Sequence, residues 1–361
     1  MQIYISILYS IQIQNSDQYM KYNLLGNTGV LVSELCFGTM TFGGQGYWEA
    51  IGKVQQDEVN ELLKITVDAG INFIDTANVY SQGLSEQLLG AGLKQLGISR
   101  DDLFIATKVR GRMREGINPI GLSRYHIFQS VDESLSRLQM DHVDLLYVHG
   151  VDELTAVEQV VHTLHDIVLT GKVRYIGVCN WSAWMVMKAL GIARKHGWHE
   201  FTALQYFYSA ANRDVENDVL PLAEDQQLSF MPWSPLAGGF LSGKFTREHT
   251  NTGGQSRRDT FDFPIIDKDR AYNIIDVLIK IGKQHNVSAA EVALAWVRQQ
   301  KGVTSTIIGA KTPEQLKSNI HSTTFQISDE DINELNTVSQ QPKPYPNWMV
   351  DRQSRERYPN Q

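Results

Sequence analysis

Eight short apolar runs recur along the chain, separated by stretches with helical patterning, and this alternation constrains the fold more than any other feature. The runs are ELCFGTM from Glu34, INFIDT from Ile71, LFIATKV from Leu103, VDLLYVH from Val143, VRYIGVC from Val173, ALQYFY from Ala203, LSFMPW from Leu228 and TSTIIG from Thr304. Several are rich in β-branched and aromatic residues, as strands buried on both faces of a parallel sheet are. Between them Val59, Leu62, Leu63 and Val67 fall at helical spacing, as do Ile127, Val131, Leu135 and Leu138. Ser85, ahead of Glu86, and Ser123 are candidate N-caps. Helical patterns over 267–286 and 288–300 and a final one over 328–339 add helices towards the C-terminus. Strands alternating with helices make a parallel sheet, and eight of them close a (β/α)8 TIM barrel. The alternative is an open doubly wound sheet. Its dinucleotide-binding form needs G-x-G-x-x-G after the first strand, and Thr39-Met40-Thr41-Phe42-Gly43-Gly44 does not supply it.

Tyr22–Leu35, with apolar ends around Gly26-Asn27-Thr28-Gly29, reads as a β-hairpin ahead of the first strand. No linker divides residues 20–340, which read as one domain. Residues 341–361 are proline-rich and polar, and are expected to be irregular. Residues 1–19 alternate Ile3, Ile5 and Ile7 with polar neighbours and carry no Lys or Arg. They match neither a signal peptide nor a membrane span, and read as a loosely attached extension with Met20 as a candidate start. No later segment is apolar enough to cross a membrane. A net charge of −7 with no basic block argues against nucleic-acid binding. Two cysteines, Cys36 and Cys179, cannot build a disulfide framework or a four-cysteine zinc site, which points to a reducing, cytoplasmic setting.

In a barrel of this kind, active sites lie at the C-terminal ends of the strands. The second run ends at Asp75, with Tyr80 in the loop beyond; the third ends with Lys108 and the fourth with His149. Adjacent strands are about 4.8 Å apart, so Asp75, Lys108 and His149 should share one rim, with Tyr80 folding back over them. An ammonium beside a phenol favours the phenolate and lowers its pKa. A carboxylate would hold the lysine in place, and a histidine could bond a substrate oxygen. Such a group suits protonation of a carbonyl oxygen. None of its members delivers a hydride, so a redox cofactor is required.

Two other chemistries find less support. Gly238–Lys244 (GGFLSGK) fits the glycine–lysine frame of a P-loop, but Phe245 stands where Ser or Thr would bind Mg²⁺. Glycine backbone close to a phosphate is still expected there. No strand ends in a metal-binding His-x-His pair. His162 and His165 should face solvent, and His142, His196 and His199 have no companions at ligand spacing, so no metal site is expected.

From Met20 to Gln340 the sequence resembles the aldo-keto reductases. GINFIDTANVYSQGLSE matches that family's Asp-x4-Tyr signature, IATKV carries its lysine and VDLLYVHG its histidine. PWSPLAGGFLSGKF and IIGAKTPEQL resemble the bacterial branch related to voltage-gated potassium channel β-subunits. The resemblance implies a (β/α)8 barrel with the hairpin closing its base and extra C-terminal helices. It also implies NADPH/NADP+ extended across the rim, with Asp75, Tyr80, Lys108 and His149 as the catalytic tetrad. Carried over position by position, Asn180 and Gln205 hold the nicotinamide carboxamide and Trp233 stacks on its ring. Cys179 replaces the family's usual serine and is a weak partner. Ser234, Leu236, Gly238, Leu241 and Lys244 match the loop over the pyrophosphate. Gly309, Lys311, Thr312, Gln315 and Asn319 match the segment around the adenosine and its 2′-phosphate. Lys311 stands where relatives often have arginine, which keeps the charge without the bidentate fork. Phe42, Tyr47, Trp48, Trp181 and Tyr208 are candidates for the pocket of a small-molecule carbonyl substrate. The branch also raises a second reading, a cofactor-bound regulatory subunit of a membrane channel. The absence of a basic or large apolar docking patch in the sequence favours the enzyme.

Overall fold

The computed structural model describes residues 20–254 and 256–357; the 1–19 extension lies outside them. A two-stranded hairpin, Tyr22–Leu24 (β1) and Leu31–Ser33 (β2), precedes eight parallel strands: Leu35–Gly38 (β3), Phe73–Asp75 (β4), Phe104–Val109 (β5), Val143–Val148 (β6), Val173–Cys179 (β7), Phe201–Phe207 (β8), Ser229–Trp233 (β9) and Thr306–Ile308 (β10). Each falls on one of the eight apolar runs. The sheet runs β10-β3-β4-β5-β6-β7-β8-β9. Its two ends meet where Phe230 bridges Val303 and the Thr304 N–H donates to Phe230 O at 2.9 Å. The sheet is therefore a barrel and not an open doubly wound layer.

Alternation along each strand separates an inner from an outer core. Phe73, Phe104, Ala106, Leu145, Tyr147, Ala203 and Met231 pack together inside the barrel, while Ile74, Ile105, Leu146 and Val148 face the helices. Leu25 and Val32 of the hairpin join the inner group and plug the base. Two bonds fix the plug at the seam: Asn23 Nδ2 donates to Thr304 O at 2.7 Å, and the Gly26 N–H donates to Ser229 Oγ at 2.6 Å. Only glycine suits position 26. Its φ is +55°, and a Cβ would lie 2.9 Å from Gln227 O.

The helices are Gln56–Asp68 (α1), Leu84–Gln95 (α2), Arg124–Leu138 (α3), Val157–Leu169 (α4), Ala183–His196 (α5), Val219–Gln226 (α6), Lys268–His285 (α7), Ala289–Arg298 (α8), Pro313–His321 (α9), Asp329–Val338 (α10) and Asn347–Arg357 (α11). Ser123 caps α3, its hydroxyl accepting from the His126 N–H. Ser85 does not cap α2. It lies within the first turn, where its hydroxyl donates to Thr39 O at 2.9 Å, and left-handed Gly83 takes the cap position. The tail is not wholly irregular either. After Pro346 α11 forms, and Asn347 Nδ2 ties it to Asn217 O at 2.8 Å. No helix among the described residues is long and apolar enough to cross a membrane.

Candidate active site

Asp75 ends β4, Lys108 lies near the end of β5 and His149 follows β6, so all three reach the same rim. Tyr80 reaches it through a strained turn. Ser81 (φ 48°), Gln82 (φ 55°) and Gly83 (φ 94°) are left-handed in succession and hook the chain back before α2 begins. Ser81 Oγ secures the hook by donating to Phe42 O at 2.8 Å and accepting from the Gly44 N–H at 2.9 Å. Lys108 is the centre of the group. Its buried ammonium donates to Asp75 Oδ1, to Thr76 O at 2.8 Å and to the Tyr80 hydroxyl at 3.1 Å, using all three protons. The His149 ring stands edge-on to Tyr80, with centroids 5.9 Å apart.

Burial decides the charge states. It pushes the Tyr80 phenol above its ordinary value, with Lys108 pulling down and Asp75 pushing up. The expected net lowering of this phenol by its lysine neighbour is thus reversed, because desolvation exceeds the attraction of a cation that a carboxylate already half-neutralises. Tyr80 therefore keeps its proton through neutral pH. Burial is the largest influence on the Lys108 charge and opposes it, yet Asp75, Tyr80 and Cys179 together hold the ammonium above the usual lysine range. Burial, then Lys108 and Arg110, keep His149 well below the ordinary imidazole range, so it is neutral.

Gln205 touches this group directly: its Nε2 donates to Asp75 Oδ2 at 2.9 Å. Asp75 is thereby clamped from both sides, and the Gln205 oxygen is left as the atom that could meet a carboxamide. Asn180 Oδ1 accepts from Trp233 Nε1 at 3.1 Å, which brings these two residues together. Arg110 (φ 151°), Asn180 (φ 59°) and Ser234 (φ 54°) each follow a strand immediately and each have positive φ, so strain concentrates at this rim. Trp233 already stacks with Phe207 (5.0 Å) and Phe263 (5.8 Å), so a nicotinamide would share or displace one of these partners.

The loop after β9 turns on Gly238 (φ 68°) and Gly239 (φ 90°), with the Gly238 N–H donating to Ser234 Oγ at 2.8 Å. Leu241 packs in the core, leaving its backbone alone for a ligand, whereas Leu236 is only partly buried. Lys244 is exposed. In the 309–319 segment the polar side chains mostly brace one another. Thr312 caps α9 by accepting from the Gln315 N–H, Gln315 Oε1 accepts from the Lys311 N–H at 2.9 Å, and Asn319 Nδ2 donates to Gly309 O at 3.1 Å.

Sequence reasoning overlooked Arg257, Arg258 and Phe263, which lie in a polar loop whose only signal is the adjacent pair of arginines. A Cβ on Gly238 would lie 3.1 Å from Arg257 Nη2 and from Arg258 Nη1, so both line the glycine turn. Arg258 is buried and braces the loop by donating to Ala237 O and Pro264 O. Partial burial and the neighbouring Arg257 and Lys244 cations hold the Lys311 ammonium below its ordinary range. Three cations beside a glycine turn could seat a phosphate. That observation fits the phosphates of a dinucleotide.

Of the candidate pocket residues, Trp48 stands edge-on to Tyr80, with centroids 5.2 Å apart. The Tyr47 side chain lies outside what the structure describes. Phe42, Trp181 and Tyr208 are corrected to core residues. Phe42 packs against Phe37, Trp181 against Phe201, and Tyr208 against Phe230 and Trp296 with its hydroxyl donating to Glu216. Their neighbouring motifs lie at the rim, but these aromatic faces have apolar partners within the fold. Among the described residues no three His, Cys, Asp or Glu side chains converge to hold a metal ion.

A family model described as "Aldo/keto reductase family" matches residues 34–340. The chain is 35% identical over 329 residues to the oxidoreductase YrpG of Bacillus subtilis, covering 88% of this chain and 96% of that one. It is 36% identical over 315 residues to norsolorinic acid reductase stcV of Emericella nidulans, covering 85% and 78%. It is 32% identical over 319 residues to aryl-alcohol dehydrogenase GME11368 of Pestalotiopsis microspora, covering 86% and 80%.

Proposed function

The chain belongs to the aldo/keto reductase family and is an oxidoreductase, and from that premise we propose that it reduces aromatic aldehydes or ketones to alcohols with NADPH, Tyr80 being the proton donor. The observation that carries this reading is the Lys108 ammonium, clamped by Asp75 and Thr76 and 3.1 Å from the Tyr80 hydroxyl. When bound, NADPH supplies a hydride to the carbonyl carbon. Asn180, Gln205 and Trp233 would hold its nicotinamide end. The Gly238 turn with Lys244, Arg257 and Lys311 would hold its phosphates.

The protein's own part is the proton. Tyr80 holds it at neutral pH because burial raises the phenol, and gives it up to an oxygen that gains negative charge as the carbonyl is reduced. Lys108 stabilises the phenolate left behind, and Asp75 keeps the lysine charged and in place. Neutral His149 offers a ring N–H to the same oxygen without competing as an acid. Trp48 beside Tyr80 supplies an aromatic wall. Together with the relatives named for aryl alcohols and norsolorinic acid, it favours aromatic substrates.

The test is turnover with NADPH against a panel of aryl and aliphatic aldehydes, with alcohol formation measured beside NADPH loss. Equimolar alcohol and oxidised cofactor, best with aryl substrates, is the expected result. Tight NADPH binding without turnover of any carbonyl would defeat the proposal.

A further inference from the structure

The hook that carries Tyr80 inward runs directly into α2, and the first turn of α2 is tied to three neighbouring strand ends. Ser85 Oγ donates to Thr39 O beyond β3 and lies 3.3 Å from Thr76 Oγ1 beyond β4. Glu86 has no exposed surface, and one of its oxygens accepts from Thr107 Oγ1 on β5 at 2.6 Å. The other accepts from Arg137 Nε on α3 at 2.7 Å. The half-buried Arg137 side chain runs against Gly83, the last residue of the hook, where a Cβ would lie 2.6 Å from Arg137 Cδ.

These contacts bear on the proton donor. Along β5 Thr107 faces the helices, whereas its neighbour Lys108 faces the lumen. A closed circuit therefore runs from the Lys108 ammonium to the Tyr80 hydroxyl at 3.1 Å, along residues 80–86, across the Glu86–Thr107 bond and back to Lys108. Ser81 and Gln82 are not glycines, and their left-handed conformations last only where the surroundings hold them. The bonds of Ser81 hold the start of the hook; Glu86 and Arg137 hold its end. Glu86 cannot itself meet a substrate, because no part of it is exposed. It can act only through the residues it ties together.

We propose that Glu86, fixed by Thr107 and Arg137, is the positioning residue that sets Tyr80 against Lys108. The inference rests on Tyr80 being the proton donor. A buried ion pair can also serve the fold alone, and the two roles predict different behaviour. If the Thr107–Glu86 bond only supports the fold, losing it lowers resistance to urea and leaves the chemistry untouched. If it positions Tyr80, losing it lets the phenol drift from the ammonium. Proton transfer then slows, and the phenol loses part of the pull that offsets its burial.

Glu86→Ala would strand the Arg137 charge, so the decisive variant is Thr107→Val, which removes one donor and leaves the Glu86–Arg137 pair in place. Its kcat should fall roughly ten- to a hundredfold, the scale of a misplacement of about 1 Å. The aldehyde KM and the NADPH dissociation constant should stay within roughly twofold of wild type, as for an interaction that matters only in the transition state. The alkaline limb of the pH–kcat profile should move upward, and Thr107→Ser should restore both rate and limb. In a Tyr80→Phe background, Thr107→Val should cost nothing further. A lowered urea midpoint with wild-type kcat and an unmoved limb would overturn the proposal, leaving an ion pair that serves the fold. A Thr107→Val loss that persists in full without the Tyr80 hydroxyl would do the same. Wild-type turnover by Tyr80→Phe is a separate result, which would remove the donor itself and the positioning role with it.

Discussion

Replacing Lys108 by methionine tests the core of the proposed mechanism, because the structure assigns the side chain two separable jobs. The first is electrostatic. A unit charge 3.1 Å from the phenolate oxygen is worth about 5 kcal/mol at an effective dielectric near 20. Asp75 cancels part of it, so losing the ammonium should raise the phenol by on the order of one to three pKa units. The variant should lose roughly 10²–10⁴-fold in kcat, and its alkaline limb should move upward. The second job is structural. Without Lys108, buried Asp75 keeps only the Gln205 donor at 2.9 Å, and breaking a buried ion pair from one side costs about 3–5 kcal/mol. The double variant Asp75→Asn, Lys108→Met removes the stranded charge. It should recover most of the stability in urea unfolding while remaining inactive. If Lys108→Met keeps the wild-type pH–kcat profile, the lysine does not govern Tyr80. If single and double variants unfold at the same urea concentration, the ion pair is not what the lysine contributes to stability.

Tyr80→Phe should lower kcat by about 10²-fold or more while leaving the NADPH dissociation constant close to wild type; unchanged turnover would remove Tyr80 from the chemistry. Lys311→Ala should weaken NADPH about tenfold and spare NADH, since a charge-assisted contact is worth about 1.5–3 kcal/mol and an exposed cation belongs at the low end; equal losses for both cofactors, read by tryptophan quenching, would make the residue structural. His149 has a folded pKa well below the ordinary 6.5, so its contribution to stability is complete above that value and fades as pH falls, by at most about 1.4 kcal/mol per unit. His149→Asn should flatten the acid side of a Tm-against-pH curve, and a curve parallel to wild type would contradict the half-buried neutral imidazole.

The strands were legible because each is a compact apolar run bounded by breakers, and a closed parallel barrel asks little more of its strands. Asp75, Lys108 and His149 followed from strand ends alone. Tyr80 is different in kind: the three left-handed residues that turn it inward include Ser81 and Gln82, neither of which advertises such a conformation. Its pKa direction was misjudged because neighbour chemistry can be read from spacing whereas burial cannot. The same blindness placed Phe42, Trp181 and Tyr208 in the pocket, since an aromatic beside a motif looks identical whether it faces a substrate or Phe37, Phe201 and Trp296. Arg257 was missed because a contact made across a loop leaves no periodic trace. The tail helix was missed because Pro342, Pro344, Pro346 and Pro359 coloured the whole segment.

The hairpin plug has a consequence for synthesis. Gly26 bonds a partner 203 residues downstream and Asn23 one 281 residues downstream. At roughly 5–20 residues per second, a ribosome needs tens of seconds to supply Thr304 after Asn23 has emerged. Until β10 emerges the nascent sheet has two unpaired edges, β3 and its newest strand, which is finally β9, and an unsealed lumen lined by Phe73, Phe104 and Leu145. Exposed edges and apolar linings recruit neighbours. The growing chain therefore meets its greatest hazard just before completion, and the last strand to leave the ribosome is the one that removes it.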